Sequence, residues 1–161
     1  MLIVCIESPF RPSNADVAKY EGRFSKGELL RQNIVYARLA VLDSLGRNES
    51  PLASHLLYTQ VWSEKEKLRE AGIKAGIEMH HVCGLVALYV DLGTSGGMKA
   101  ADEHAELLNV PRIRRTIIAA GVKDPREHLA RLPLTGFPYL EELEAEERVS
   151  AGRIRIEGRG T

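Results

Sequence analysis

The stretch Leu85-Val86-Ala87-Leu88-Tyr89-Val90 is apolar at every position and gives way at once to Asp91-Leu92-Gly93-Thr94-Ser95-Gly96-Gly97-Met98. A strand with one wet face alternates apolar and polar residues, so an unbroken run of strand length implies helices on both faces, the situation of a parallel sheet. Behind the glycine-rich loop, Ala101, Ala105 and Leu108 fall at helical spacing and predict a helix with that inner face. Strand, glycine loop and helix in this order form the basic unit of an α/β domain.

The rest of the chain supplies further units. Leu2 to Ile6 is a short apolar run that stops at Glu7-Ser8-Pro9, and proline cannot continue a central ladder, so a buried first strand is expected. The segment from Phe10 to Lys26, rich in Pro, Ser, Asn, Asp, Gly and charge, reads as a mobile loop. From Glu28 a long helix is predicted with Leu30, Ile34, Ala37, Val41 and Leu45 on its buried face and Gly46 as its stop. Pro51 to Tyr58 reads as a second strand. Ser63 and Glu66 form a capping box for a helix carrying Leu68, Gly72, Ala75, Met79 and Val82. Gly72 and Gly76 lie one turn apart and each costs about 1 kcal/mol relative to alanine, which either close packing or access for a ligand must offset. Val110 to Ile118 predicts a partly exposed strand. The result is one domain over residues 1–120 and an extension over 121–161, with a short helical piece, an acidic run from Glu141 to Glu147 and a disordered end.

Charge narrows the partners. The 22 Lys plus Arg balance 22 Asp plus Glu, whereas a nucleic-acid or anionic-membrane surface calls for a net positive field. A small molecule is the expected partner, with no nucleic acid and no membrane. No apolar stretch approaches the roughly 18 residues of a membrane span. The start Met-Leu-Ile-Val-Cys-Ile has neither the basic region nor the cleavage site of a signal peptide, so a cytoplasmic protein is expected. Cys5 and Cys83 sit in apolar runs and read as free, buried thiols rather than a disulfide framework.

In open α/β sheets the ligand lies beyond the carboxyl ends of the strands. Three segments converge there: Glu7 to Phe10, His55 to Gln60, and Gly93 to Met98. The glycines allow close backbone approach, and the start of the following helix offers unpaired N–H groups to an anion. Gly-Thr-Ser-Gly-Gly is neither a Walker A loop nor a dinucleotide fingerprint. His55 and Tyr58 either line a pocket or satisfy a buried turn. Arg31 and Asn33 either meet a phosphate or belong to a solvated helix face. His80, His81, His104 and His128 have no metal-ligand spacing, so neither a metal nor another cofactor is expected.

Cys-Ile-Glu-Ser-Pro-Phe, His-Leu-Leu-Tyr-Thr-Gln, Gly-Ile-Lys-Ala-Gly and Ser-Gly-Gly-Met-Lys-Ala, in that order, resemble the nucleoside 2-deoxyribosyltransferase superfamily, especially its small phage and bacterial branch, over roughly residues 2 to 118. The resemblance implies a flavodoxin-like, doubly wound parallel sheet of about five strands with helices on both faces. It also implies a homodimer or higher homo-oligomer, in the host cytoplasm if the chain is phage-encoded. Ser8, Pro9, Phe10, Arg31, His55, Tyr58, Gly93, Ser95, Gly97 and Met98 become the candidate binding residues, with Ser95 matching a sugar-contacting position and Gly97 and Met98 the turn. The position of the family's nucleophilic glutamate holds Ala101.

Cleavage of an N-glycosidic bond passes through an oxocarbenium-like sugar, which a carboxylate attacks or stabilises. Alanine does neither. Asp102 and Glu103 follow directly, but successive helix positions point about 100° apart, and acids in the first turns of a helix also simply complement its dipole. Glu7 offers a carboxylate from the end of the first strand. Two main readings follow: an N-glycosidase or 2-deoxyribosyltransferase using Asp102, Glu103 or Glu7, and a catalytically silent protein that sequesters or senses a nucleotide. A scaffold for protein contacts is the third.

Overall fold

The computed structural model describes residues 1–59 and 66–132. Its strands are β1 (Ile3–Glu7), β2 (Ser50–Leu52), β3 (Leu85–Tyr89) and β4 (Arg112–Arg115). All pair in parallel in the order β2-β1-β3-β4, the order of a flavodoxin-like sheet. Four strands, against about five expected, are found among the described residues. Between them run α1 (Asn14–Lys19), α2 (Lys26–Gly46), α3 (Ser54–Tyr58), α4 (Glu66–Glu78) and α5 (Gly96–Leu107), and α6 (Pro125–Ala130) follows β4.

Alternation along the strands divides the core in two. Val4, Ile6, Ala87 and Tyr89 point to one face, where α2 contributes Val35, Tyr36 and Ala40 and α6 contributes Leu129. Cys5, Val86 and Leu88 point to the other, against Met98 and Ala105 of α5. Both faces of β1 and β3 are therefore dry, which accounts for the unbroken apolar sequence of β3.

Several expectations need correction. The segment from Phe10 to Lys26 is not all loop, because Ser13 and Asp16 form a reciprocal capping box that starts α1, and Ser25 and Glu28 form another that starts α2. Pro51 to Tyr58 is not one strand: β2 ends at Leu52 and α3 begins at Ser54. β4 occupies only the middle of the stretch from Val110 to Ile118. The predicted face of α2 is rotated, since Ala37 is buried but Leu45 is 49% exposed, while Gln32, Asn33 and Ser44 are buried. These polar residues go inside because partners meet them there. The guanidinium of Arg126, on α6, donates to Gln32 Oε1 at 3.3 Å and Asn33 Oδ1 at 3.1 Å, and a buried polar group is stable when so paired. Through Arg126 and Leu129 the start of the 121–161 extension becomes part of the core. Cys5 and Cys83 are joined as a disulfide rather than free. Ser63 of the expected capping box, the acidic run and the tail lie outside the described residues.

A second buried network ties β4 to the sheet. Arg115 donates to both carboxylate oxygens of Glu49, at 2.7 and 2.6 Å, and to the hydroxyl of Tyr89, which donates in turn to Asp43 at 2.8 Å. The Arg115 hydrogen bonds hold the Glu49 carboxyl below its usual range, and burial is the main reason the Tyr89 phenol is pushed up to about 12. Glu49→Gln strands a buried guanidinium and should cost about 3 kcal/mol in urea unfolding. Because the folded-state value of Glu49 is depressed, the lost stability is that present above its ordinary value of 4.5, and the gap between variant and wild type should close as pH falls through the folded value.

Candidate functional site

The chain order β2-β1-β3 places the switch point of the sheet between β1 and β3. A cleft with about 110 Å³ of water-accessible space opens there, at the carboxyl ends of the strands. Glu7, Ser8, Phe10 and Arg11 form its β1 side, and Ser95, Gly97 and Met98 its β3 side. The third wall comes from α3 and α4: Ser54, His55, Tyr58 and Thr59 face Arg69, Gly72, Ile73, Gly76 and Ile77.

The glycine loop is shaped by its turn and by a cap. Gly93 adopts φ +85, a conformation side-chain-bearing residues rarely take, and its N–H bonds the carbonyl of Val90 at 2.9 Å. Asp91 accepts from the Tyr36 hydroxyl at 2.7 Å and from the amides of Ile117 and Ile118, so it anchors the loop after β4 rather than facing the cleft. Ser95 is the N-cap of α5 and accepts the amide of Met98 at 3.3 Å, which fixes its hydroxyl on the cleft wall. Added Cβ atoms at Gly96 and Gly97 would meet nothing closer than 3.9 Å, so these glycines leave space over the helix start.

Opposite lies a serine–histidine pair. Ser8 Oγ and His55 Nε2 are 2.9 Å apart, and the His55 ring packs edge-on to Phe10 with centroids 6.0 Å apart. Burial pushes the imidazole's pKa below the ordinary value of 6.5, against the opposing pull of the Glu7 carboxylate, so His55 is neutral at pH 7. A histidine with a depressed folded-state value favours the fold above 6.5 and disfavours it below, because the unfolded chain takes up the proton first. Thermal melts at pH 7.5 and 5.5 should show a stability loss on acidification that is smaller in His55→Gln.

The candidate carboxylates separate clearly. Glu7 lines the cleft, with its side chain 15% exposed and Oε1 at 3.6 Å from His80 Nε2. Among the described lining residues it is the only acid. Asp102 points elsewhere, to Arg112 at 3.5 Å and Arg114 at 3.6 Å on β4, and Glu103 is exposed outside the cleft. Ala101 is buried on the inner face of α5. Of the binding candidates, Ser8, Phe10, His55, Tyr58, Ser95, Gly97 and Met98 line the cleft, whereas Pro9, Arg31 and Gly93 do not. Arg31 donates to the carbonyl of Leu132 at 3.0 Å, and Asn33 donates to the carbonyl of Phe10 at 2.7 Å, so neither waits for a phosphate. Asn33 supports the cleft indirectly by holding the backbone that carries Phe10.

A family model described as a domain of unknown function, DUF7768, matches residues 2–115. The chain belongs to this family. No curated protein matches it. All four strands fall within the DUF7768 match, as do the described residues lining the cleft, while α6 with its buried Arg126 lies beyond it.

The sequence reading did not place Arg11, Ser54 or Arg69 at the site. Arg11 directly follows the first of the three segments, Arg69 lies in the charged run Glu64-Lys65-Glu66-Lys67-Leu68-Arg69-Glu70 with nothing to single it out, and Ser54 falls inside the stretch expected as a strand. Gly76 did carry a signal, and the structure explains it: a Cβ there would come within 2.5 Å of Ser54 Oγ and 3.2 Å of Ser54 Cβ. Gly76→Ala must therefore push α3 from α4. The helix propensity gained, about 1 kcal/mol, offsets much of the strain, so unfolding should change little. Ligand affinity should fall by about tenfold as His55 leaves Ser8, measured by calorimetric titration.

Proposed function

We propose that this chain binds a nucleoside or nucleotide in the switch-point cleft and acts on its N-glycosidic bond, as an N-glycosidase or 2-deoxyribosyltransferase-like enzyme with Glu7 as its carboxylate. The observation that carries the reading is the single acid of the described cleft wall, Glu7, at the end of a central parallel strand and facing the same cavity as Ser95 and the Ser8–His55 pair. A carboxylate there can attack C1′ or stabilise the positive sugar, while Ser95 and Ser8 offer hydroxyls to sugar oxygens. Phe10 and Tyr58 supply flat surfaces for a base. Arg11 and Arg69 also line the cleft, and guanidinium groups are suited to a phosphorylated substrate. The reaction so read calls for no cofactor.

Ala101 favours a second reading. The position matching the nucleophile of the resembled family is buried and apolar, and Asp102 is held by arginines outside the cleft. A protein that keeps the pocket but only sequesters or senses a nucleotide would look this way. The separating experiment incubates the purified chain with ribo- and deoxyribonucleosides and their monophosphates, follows released base by chromatography and records thermal shifts in parallel. Base release supports the enzyme, stabilisation without release supports the binder, and neither response removes both.

A cytoplasmic setting and a homodimer or larger assembly belong to the same proposal. No described helix is long and apolar enough to cross a membrane. Leu42 and Leu107, 60% and 79% exposed, give α2 and α5 apolar surface that a second copy could cover. Light scattering tests the assembly.

A further inference from the structure

His80 is fully buried, yet its Nε2 has no hydrogen-bond partner among the described residues. Leaving a buried polar atom unpaired costs about 1–3 kcal/mol, so its surroundings call for a role. They are specific. Nε2 faces Glu7 Oε1 across 3.6 Å, too far for a good hydrogen bond but close for a charge, and Nδ1 faces Nδ1 of His104 at 3.4 Å. The His80 and His104 rings lie 5.5 Å apart, and His104 also meets the ring of His81, whose side chain is 55% exposed. A chain of titratable groups thus runs from the cleft floor to the surface.

The two facing Nδ1 atoms restrict where protons can sit. One must donate and the other accept. If His104 donates, neutral His80 carries its proton on Nε2 and presents it to an ionised Glu7. If His80 donates, its bare Nε2 faces Glu7, an arrangement tolerable only when Glu7 itself holds a proton and donates it. In both states one proton lies between Glu7 and His80, and moving the proton between the two Nδ1 atoms decides whether Glu7 is carboxylate or acid.

We propose that His80 is the positioning residue of Glu7, and that the proton held between the Nδ1 atoms of His80 and His104 sets the His80 tautomer that meets Glu7. This rests on the reading of Glu7 as the carboxylate that meets the sugar. With His104 donating, His80 holds Glu7 ionised and aimed for the oxocarbenium-like state. The other charged groups facing these residues are His55 from α3, Arg69 from α4 and Arg11 after β1, which share the cleft with Glu7, and Glu78, which lies 3.6 Å from His81.

The test reads the tautomer directly. In full-length protein carrying 15N-labelled histidine, long-range NMR correlations should show His80 protonated on Nε2 and bare on Nδ1 at neutral pH. Glu7→Gln should shift the Nε2 resonance, and His104→Phe should give a mixed or Nδ1-protonated His80. A His80 pattern identical in wild type, Glu7→Gln and His104→Phe, with all three folded by thermal melting, overturns the coupling of Glu7, His80 and His104 whether or not any nucleoside is cleaved. Absence of base release with the NMR coupling intact removes the glycosidase reading instead. Where base release is found, His80→Leu should lower kcat roughly 100-fold at unchanged KM, and His80→Gln, which keeps a donor near the Nε2 position, should restore most of it. Equal loss in both variants also overturns the positioning role.

Discussion

Glu7→Gln should abolish base release, by about 10³-fold in kcat, while leaving nucleotide affinity within a few-fold of wild type. The substitution keeps the shape of the side chain and a polar group facing His80, but removes the negative charge that a developing oxocarbenium ion requires. The expected split between kcat and binding follows from timing. A neutral ground-state sugar has little use for the charge, whereas the transition state depends on it. Asp102→Asn and Glu103→Gln serve as controls with a definite expectation: Asp102 is turned to Arg112 and Arg114 and Glu103 is exposed outside the cleft, so both should retain activity within about twofold. If Asp102→Asn were the dead variant and Glu7→Gln the active one, the first turns of α5 rather than β1 would carry the chemistry. If all three bound nucleotide and none, nor wild type, released base, the cleft would be a binding site only.

The contrast between these carboxylates shows where sequence reading reaches its limit. Three of the segments that build the cleft were legible from apolar runs, proline and glycines, features set by local backbone and burial, whereas the wall from α4 showed only in Gly72 and Gly76. Which acid enters the cleft was not legible, because it depends on helix phase. Ala101 and Ala105 turn toward the sheet, and that rotation sends Asp102 to the arginines of β4. The face of α2 was misread for a related reason. Gln32 and Asn33 look like solvent-facing residues until Arg126, some ninety positions later, arrives as their partner. The missed α1 was, by contrast, available in the sequence: Ser13 and Asp16 have the spacing of a capping box, masked by a polar composition that reads as loop. Local signals thus recovered the sheet and its open edge, while pairings between distant segments decided which polar groups are buried and which face the ligand.

The Cys5–Cys83 disulfide is the most consequential of those distant pairings, and breaking it should cost about 4.5 kcal/mol of stability at 25 °C. The bond closes a sequence separation of 78 residues, so in the chain-entropy account its loss greatly enlarges the unfolded ensemble. Urea unfolding of oxidised protein, reduced protein and Cys5→Ala/Cys83→Ala should show a lower midpoint in the last two, with a steeper dependence on urea as the released chain expands. Oxidised and reduced midpoints that coincide would refute a stabilising cross-link. The bond also bears on the site. Cys5 and Glu7 are two residues apart on β1 and share a face, while the amide of Cys83 bonds the carbonyl of His80 at 3.3 Å, so one covalent link tethers the strand that carries Glu7 to the turn that carries His80. Cys5 and Cys83 are 2% and 9% exposed, which shields the bond from thiols in a reducing compartment as long as the fold is closed. Reduction should therefore be slow in native protein and fast in partly unfolded protein. In a sample reduced under mild denaturation and returned to buffer with its thiols blocked, base release should fall further than nucleotide affinity, because the geometry between Glu7 and His80 loosens before the walls of the cleft do.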